Sequence, residues 1–216
     1  MKKKILAGLA TGLMMIGTAG MAQAIPYGFT VVEDNSPLNP AGQLQVDVTD
    51  EGGGITLFAF SNTGNIQSTI ADIYFDWEAT STLTFAGYDS TGDVSFDHFA
   101  SPSDLSGGQT IDFTADWSTD ADPPPGTNQN GIDNWTAGIQ DTLTIAFTGS
   151  SFNAILSALN SEDFRIGLHL QGLTDGESES YVTGGGPAPV PEPATMLLFG
   201  TGLAGLSGYF RKKRSA

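Results

Sequence analysis

Apolar residues recur at every second position in five separate stretches, and that alternation limits the fold more than any other feature of the chain. Leu44, Val46 and Val48 alternate with polar residues, as do Ala71, Ile73, Phe75 and Trp77. Ile111, Phe113, Ala115 and Trp117 repeat the pattern, followed by Leu143, Ile145 and Phe147, then Phe164, Ile166, Leu168 and Leu170. Successive side chains of a strand point to opposite faces, so each stretch reads as a strand with one buried and one wet face. Clusters at Glu51-Gly52-Gly53-Gly54 and Asn62-Thr63-Gly64-Asn65 supply turns between them. One stretch has a different period: Phe152, Ile155, Leu156 and Leu159 fall at i, i+3, i+4 and i+7 after Ser150 and Ser151, the spacing of a short amphipathic helix with a serine N-cap. These signals predict an antiparallel β-sandwich over residues 25–183 with one short helix. Phe75, Trp77, Phe113, Ile145, Ile166 and Leu168 are expected to be buried together. Asp120 to Asn134, with Pro123-Pro124-Pro125, reads as a long exposed polar loop, and residues 184–190 as a flexible Gly/Pro linker.

Charge is distributed as sharply as hydropathy. The chain has 24 acidic and 8 basic residues, and Arg165 is the single basic residue between Lys4 and Arg211. All 24 acids lie from Glu33 to Glu192, so residues 25–210 carry a net charge of −23. Such a body repels phosphate backbones, which excludes nucleic acid as a partner. It should be very soluble and resist self-association in the absence of divalent cations. With no cysteine, the chain has no disulfide, no thiolate metal site, no cysteine nucleophile and no lipidated cysteine.

The two ends are basic and apolar. Lys2-Lys3-Lys4, the apolar stretch from Ile5 to about Gly20, and Ala22-Gln23-Ala24 make residues 1–24 a signal peptide, with Ala22 and Ala24 directing signal peptidase to cut before Ile25. At the other end Val190-Pro191-Glu192-Pro193 precedes an apolar run, residues 194–210, and then Arg211-Lys212-Lys213-Arg214. As a helix those 17 positions would span roughly 25 Å, a little short of a ~30 Å hydrocarbon core. The basic side chains can snorkel to make up the difference and should stay cytoplasmic. One transmembrane helix with its C-terminus inside is therefore expected. Pro191 and Pro193 lack amide donors and restrict the residues before them, so helix should not extend upstream. Gly200, Ala204 and Gly208 form a small-residue stripe. It either permits close packing against another helix or makes a loosely held anchor.

Proline-glutamate-proline, a short apolar helix and a terminal basic cluster, in that order, resemble the tripartite PEP-CTERM sorting signal. Val190-Pro191-Glu192-Pro193-Ala194-Thr195 is similar to its start, and the likeness covers roughly residues 187–214. This resemblance implies recognition by an exosortase, an integral-membrane cysteine transpeptidase. The enzyme would cut near Pro191, Glu192 and Pro193, then release the body or transfer it to an acceptor. It also implies a producer of exopolysaccharide and biofilm, with delivery from an inner-membrane intermediate to the cell surface or extracellular matrix. The C-terminal region is similar as well to one labelled as that of ice-binding proteins, a label that names some carriers of the tail and is not carried over as an activity. In the body, Phe164 to Gly172 with Glu177 to Val182, and Ile70 to Asp76, resemble strands of other PEP-CTERM proteins and imply no chemistry.

Within the body the candidate sites are few. His98 follows Asp97, and His169 lies on the outward side of its strand. Neither accompanies a nucleophile elbow, a zinc helix or a phosphate-cradling loop, so no catalytic residue is assigned and the body is read as non-enzymatic. Calcium, which takes six to eight oxygen ligands, is the cofactor that this composition suits. Asn128-Gln129-Asn130-Gly131-Ile132-Asp133 superficially resembles a calcium-binding loop, but Gly126 and Ala137 occupy ligand positions that need oxygen side chains. A glycan would stack on exposed aromatics, for which Tyr74, on the polar side of its strand, and Trp135, beside the long loop, are the candidates. The T-x-T pairs Thr82/Thr84 and Thr142/Thr144 share no period, which argues against an ice-binding array. Two roles remain: a structural or adhesive matrix protein, or a carbohydrate-binding module for the cell's own exopolysaccharide.

Overall fold

A computed structural model of the protein describes residues 24–77, 83–98, 100, 102–122, 130–135 and 140–184. Outside them fall Ala22, Pro191, Glu192, Pro193, Arg211, Lys212, Lys213 and Arg214. So do the expected signal peptide before Ala24, the expected linker beyond Gly184, the expected span 194–210 and part of the expected polar loop, residues 123–129.

The described strands are β1 (Ile25–Glu33), β2 (Leu44–Gly52), β3 (Ile55–Asn62), β4 (Thr69–Trp77), β5 (Thr84–Thr91) and β6 (Phe96–Asp97). They continue with β7 (Trp117–Ala121), β8 (Ile132–Asp133), β9 (Thr142–Thr148), β10 (Phe164–Gln171) and β11 (Glu179–Thr183). They form one sheet in the order β5-β9-β3-β2-β1-β11-β10-β4-β7-β6, with β8 also on β4. Every pairing is antiparallel. β1 joins the two halves. Its first residues, Ile25 to Gly28, pair with β2, whereas Phe29 to Glu33 pair with β11 across a register shift. The sheet therefore curls so that β3 and β9 face β4 and β10. The hairpin between β2 and β3 turns on Gly52, Gly53 and Gly54, all at positive φ, a conformation open to glycine without a Cβ clash.

The core lies between the two halves and is largely aromatic. Phe58 of β3 meets Phe75 of β4 edge-on with ring centroids 5.4 Å apart, and Phe75 meets Phe147 of β9 at 5.0 Å. Phe164 of β10 closes the group at 5.8 Å from Phe58. Edge-to-face contact aligns the positive rim of one ring with the negative face of the next. Helix α1 (Phe152–Ser161) buries Ile155 and Leu159 against this core. Ser151 accepts a hydrogen bond from the Ala154 amide as N-cap, and left-handed Glu162 ends the helix.

A mostly β, antiparallel architecture with one short helix is thus what the period-two pattern encodes. The two layers, however, are halves of a single curled sheet. Among the described residues no helix is long and apolar enough to cross a membrane.

The alternation misleads at one place. Ile111 to Asp116 is not strand; β7 begins only at Trp117. A 3-10 turn at Gly108–Thr110 and a left-handed Asp112 (φ 54°) redirect the chain. Phe113 consequently leaves the expected group and packs with Tyr74 and Leu105 on the outer face of the sheet. Phe75, Ile145, Ile166 and Leu168 do share the inner core, with Trp77 half-buried at its margin.

Candidate functional site

The outer face of β4, β10 and β11 is polar by sequence yet largely covered. Residues 102–116 cross it as a flap. Leu105 and Phe113 are buried there against Tyr74, with Val182 alongside. Gly167 makes the close approach possible, since a Cβ on it would lie 2.9 Å from Leu105 Cδ2 and 3.0 Å from Phe113 Cζ. Arg165, the body's single basic residue, pins the flap. Its Nη1 donates to the Ile111 carbonyl at 2.6 Å, and its Nη2 donates to the Asp112 carbonyl and, at 2.5 Å, to Asp76 Oδ2. Its guanidinium carbon lies 5.4 Å from the Phe113 ring centroid. Burial raises the Asp76 carboxyl above its ordinary range, and the bond and charge of Arg165 oppose that shift.

Tyr74 is corrected accordingly. It is only 2% exposed, and its hydroxyl donates to the Ser103 carbonyl at 2.9 Å. Burial, followed by the nearby Asp72, Asp120 and Asp104, pushes its phenol well above the usual tyrosine range. The flap occupies the surface on which a sugar ring would stack. The sequence signal that was missed is Leu105, an isolated apolar residue in a polar stretch.

Above this patch runs a cross-strand row. Asp97 pairs with Asp120, Asp120 with Asp72, Asp72 with His169, His169 with Ser180 and Ser180 with Glu33. His169 Nδ1 and Asp72 Oδ2 are 2.6 Å apart. Burial, and then Asp72, Asp97 and Asp122, raise the Asp120 carboxyl. Asp72, His169 and Ser180 are the residue types of a hydrolytic triad, but a triad needs the serine hydroxyl on the histidine. Ser180 is fully buried, and its Oγ has no hydrogen-bond partner. His98 stacks on Phe85 at 4.9 Å, away from this pair. Among the described residues no three histidine, aspartate or glutamate side chains are arranged to hold a metal ion.

A cleft opens at the end of the sheet where β1 stops and β11 starts. Val31, Asp34, Pro37, Leu38, Glu179 and Tyr181 are among the residues lining it. Glu179, 1% exposed, accepts from the Ser36 amide at 3.2 Å and from the Tyr181 hydroxyl. Burial raises its carboxyl despite those bonds. At about 190 Å³ the cleft is smaller than the ~300–1,000 Å³ of sites that engulf a small molecule. Trp135 is 49% exposed, its amide donating to Asp133 Oδ1 just after β8. Trp135 and Val31 are the exposed large hydrophobics among the described residues.

The first and last strands of the described body are neighbours. β1 runs beside β11 with Phe29 opposite Thr183, and the Gly184 amide donates to the Gly28 carbonyl at 3.4 Å. The described chain therefore leaves the sheet at Gly184, beside the strand that follows Ala24. Residues 189–214 match the family model of the PEP-CTERM protein-sorting motif. A motif of this kind implies an exosortase as sorting partner and export through the membrane to the cell surface. No curated protein matches the chain, and no solved structure matches it.

Proposed function

We propose that this protein is a non-enzymatic structural or adhesive component of the extracellular matrix, in biofilm or exopolysaccharide, delivered there by exosortase. The observation that carries the reading is the PEP-CTERM motif at residues 189–214. Signal peptidase removes residues 1–24. Because β1 begins at Ile25, a cut after Ala24 leaves the first strand whole. Residues 25–183 then fold outside as a sandwich formed by the two facing halves of the curled sheet, and residues 184–190 link this body to the tail. Residues 194–210 span the inner membrane with Arg211–Arg214 in the cytoplasm, which leaves Pro191-Glu192-Pro193 at the outer boundary, where a membrane-embedded enzyme can reach it. Glu192 supplies the charge that the enzyme reads.

The experiment follows the body and the extreme C-terminus with separate antibodies, in cells with exosortase and in matched cells without it. With the enzyme, the body epitope should reach the surface or medium free of the C-terminal epitope. Both epitopes on one membrane species in both strains would reduce the tail to a permanent anchor.

A second reading, a carbohydrate-binding module for the exopolysaccharide, is favoured by Trp135, whose half-exposed ring offers a stacking face. Retention of the protein on the producer's polysaccharide that falls on Trp135→Ala, with unchanged melting temperature, would favour this reading over the first.

A further inference from the structure

We infer that, before processing, the body is held at the membrane by the end of the curled sheet from which its two chain ends depart, with the opposite end, bearing Trp135 and the Val31 cleft, turned outward. The inference rests on the sorting reading and adds an orientation to it. In the antiparallel pair of β1 and β11, Ile25 enters and Gly184 leaves on the same side, with the Gly184 amide bonded to Gly28. Val48 of β2 pairs with Ile25, so the β2–β3 turn at Glu51 lies at or beyond that end. The segments expected to thread the membrane, residues 1–24 and 194–210, thus join the body on one side. Residues 185–193 allow at most about 30 Å of reach when fully extended, so the body could swing its far end to the bilayer only with the whole segment drawn taut.

The far end is acidic as well, with Asp34, Asp133, Asp175 and Glu177, and differs in its exposed large hydrophobics. The loop from Asp34 to Asn39, the turn from Leu173 to Ser178, and β8 with Trp135 all lie at that end of their strands. Ser36 ties the first two together by donating to Asp175, and Asn35 donates to the Ser178 carbonyl at 3.4 Å. Val31 and Trp135, the exposed large hydrophobics among the described residues, both lie at this end. The near end carries Asp50, Glu51, Asp116, Glu162 and Asp163, and no basic side chain compensates them, because Arg165 is committed to Asp76 and the flap. Anionic headgroups repel such a surface within a Debye length. The body is therefore oriented by its tether and does not adhere to lipid.

The absence of native cysteine makes the test direct. Single cysteines replace Glu51 at the near end and Glu177 at the far end, both exposed and each substitution removing one carboxylate. The full chain, isolated from cells without exosortase, is labelled with a donor fluorophore and reconstituted into vesicles of zwitterionic lipid doped with an acceptor-headgroup lipid. The two positions are separated along the strands by on the order of 30 Å, so transfer from the label at Glu51→Cys should be about two-fold or more that from Glu177→Cys. Equal transfer from both positions, or greater transfer from Glu177→Cys, overturns the orientation while leaving the anchor intact. Failure of either labelled chain to stay with the vesicles overturns the anchored reading itself, and the orientation with it.

Discussion

The body and the tail store their information in different ways. In the tail the information is the order of residues: a Pro-Glu-Pro triplet, an apolar run and four basic residues in succession. Any one of the three can be removed on its own. In the body it is distributed over faces and neighbours, so that a residue such as Tyr74 acquires its role only when residues 102–116 fold across it. The address of the protein and the shape of the protein should therefore fail independently, and substitutions can be chosen to separate them.

The largest expected effect is in the tail. Glu192→Ala, or deletion of Arg211–Arg214, should abolish processing in cells with exosortase while the melting temperature of the body stays where it was. Loss of processing together with a lowered melting temperature would mean that body and tail are one cooperative unit.

Next comes the core. Phe75 touches rings from both halves of the sheet, and Phe75→Ala should destabilise the body by about 3–5 kcal/mol. For a body of this size that lowers the melting temperature by roughly 10 °C. Molecules that still fold should be processed at the tail as in the wild type, as the ratio of the two epitopes would report.

A smaller effect is expected at the flap. Arg165→Met keeps the aliphatic contact with Phe113 but leaves two carbonyls and Asp76 without their donor. It should cost about 2 kcal/mol and make residues 102–116 the first site of proteolytic nicking. An unchanged digestion pattern would show that Leu105 and Phe113 hold the flap by apolar packing alone.

How much of this was legible in the sequence follows from the kind of signal involved. β2, β4, β9 and β10 lie where strict alternation puts them, and α1 begins at its serine cap, because there the apolar positions of the local pattern are the ones that face the core. Ile111 to Asp116 has the same alternation and is not strand. There the alternation is defeated by the turn at Gly108–Thr110, by left-handed Asp112 and by the hold of Arg165, a residue more than fifty positions away. Tyr74 departs from its pattern for the same reason: a polar-side position predicts water only if nothing covers it, and the cover is non-local. Trp135 stands exposed beside its loop as expected. The buried Glu179 carried no local signal, since only the fold brings Ser36 and Tyr181 to it.

The smallest expected effect is electrostatic. Asp76, Asp120, Asp141 and Glu179 have carboxyls raised by burial above all. In the window between their unfolded and folded pKa values the folded state binds more protons than the unfolded one, so stability falls as pH rises through it. The penalty is complete above the folded values and disappears below the unfolded values, 3.8 for aspartate and 4.5 for glutamate. The melting temperature should rise modestly as the pH is lowered from neutral toward those unfolded values at constant ionic strength. Glu179→Gln should flatten part of that slope. A melting temperature that falls over the same interval would contradict these directions.

The central claim is that the tail is a signal to be cut and not merely an anchor. The most direct measurement is the mass of the mature protein recovered from the surface or medium of exosortase-containing cells, with its C-terminal peptide sequenced. The account predicts a chain that begins at Ile25 and ends near Pro191-Glu192-Pro193, without residues 194–216. A surface chain that retains Arg211–Arg214 and ends at Ala216 would contradict it.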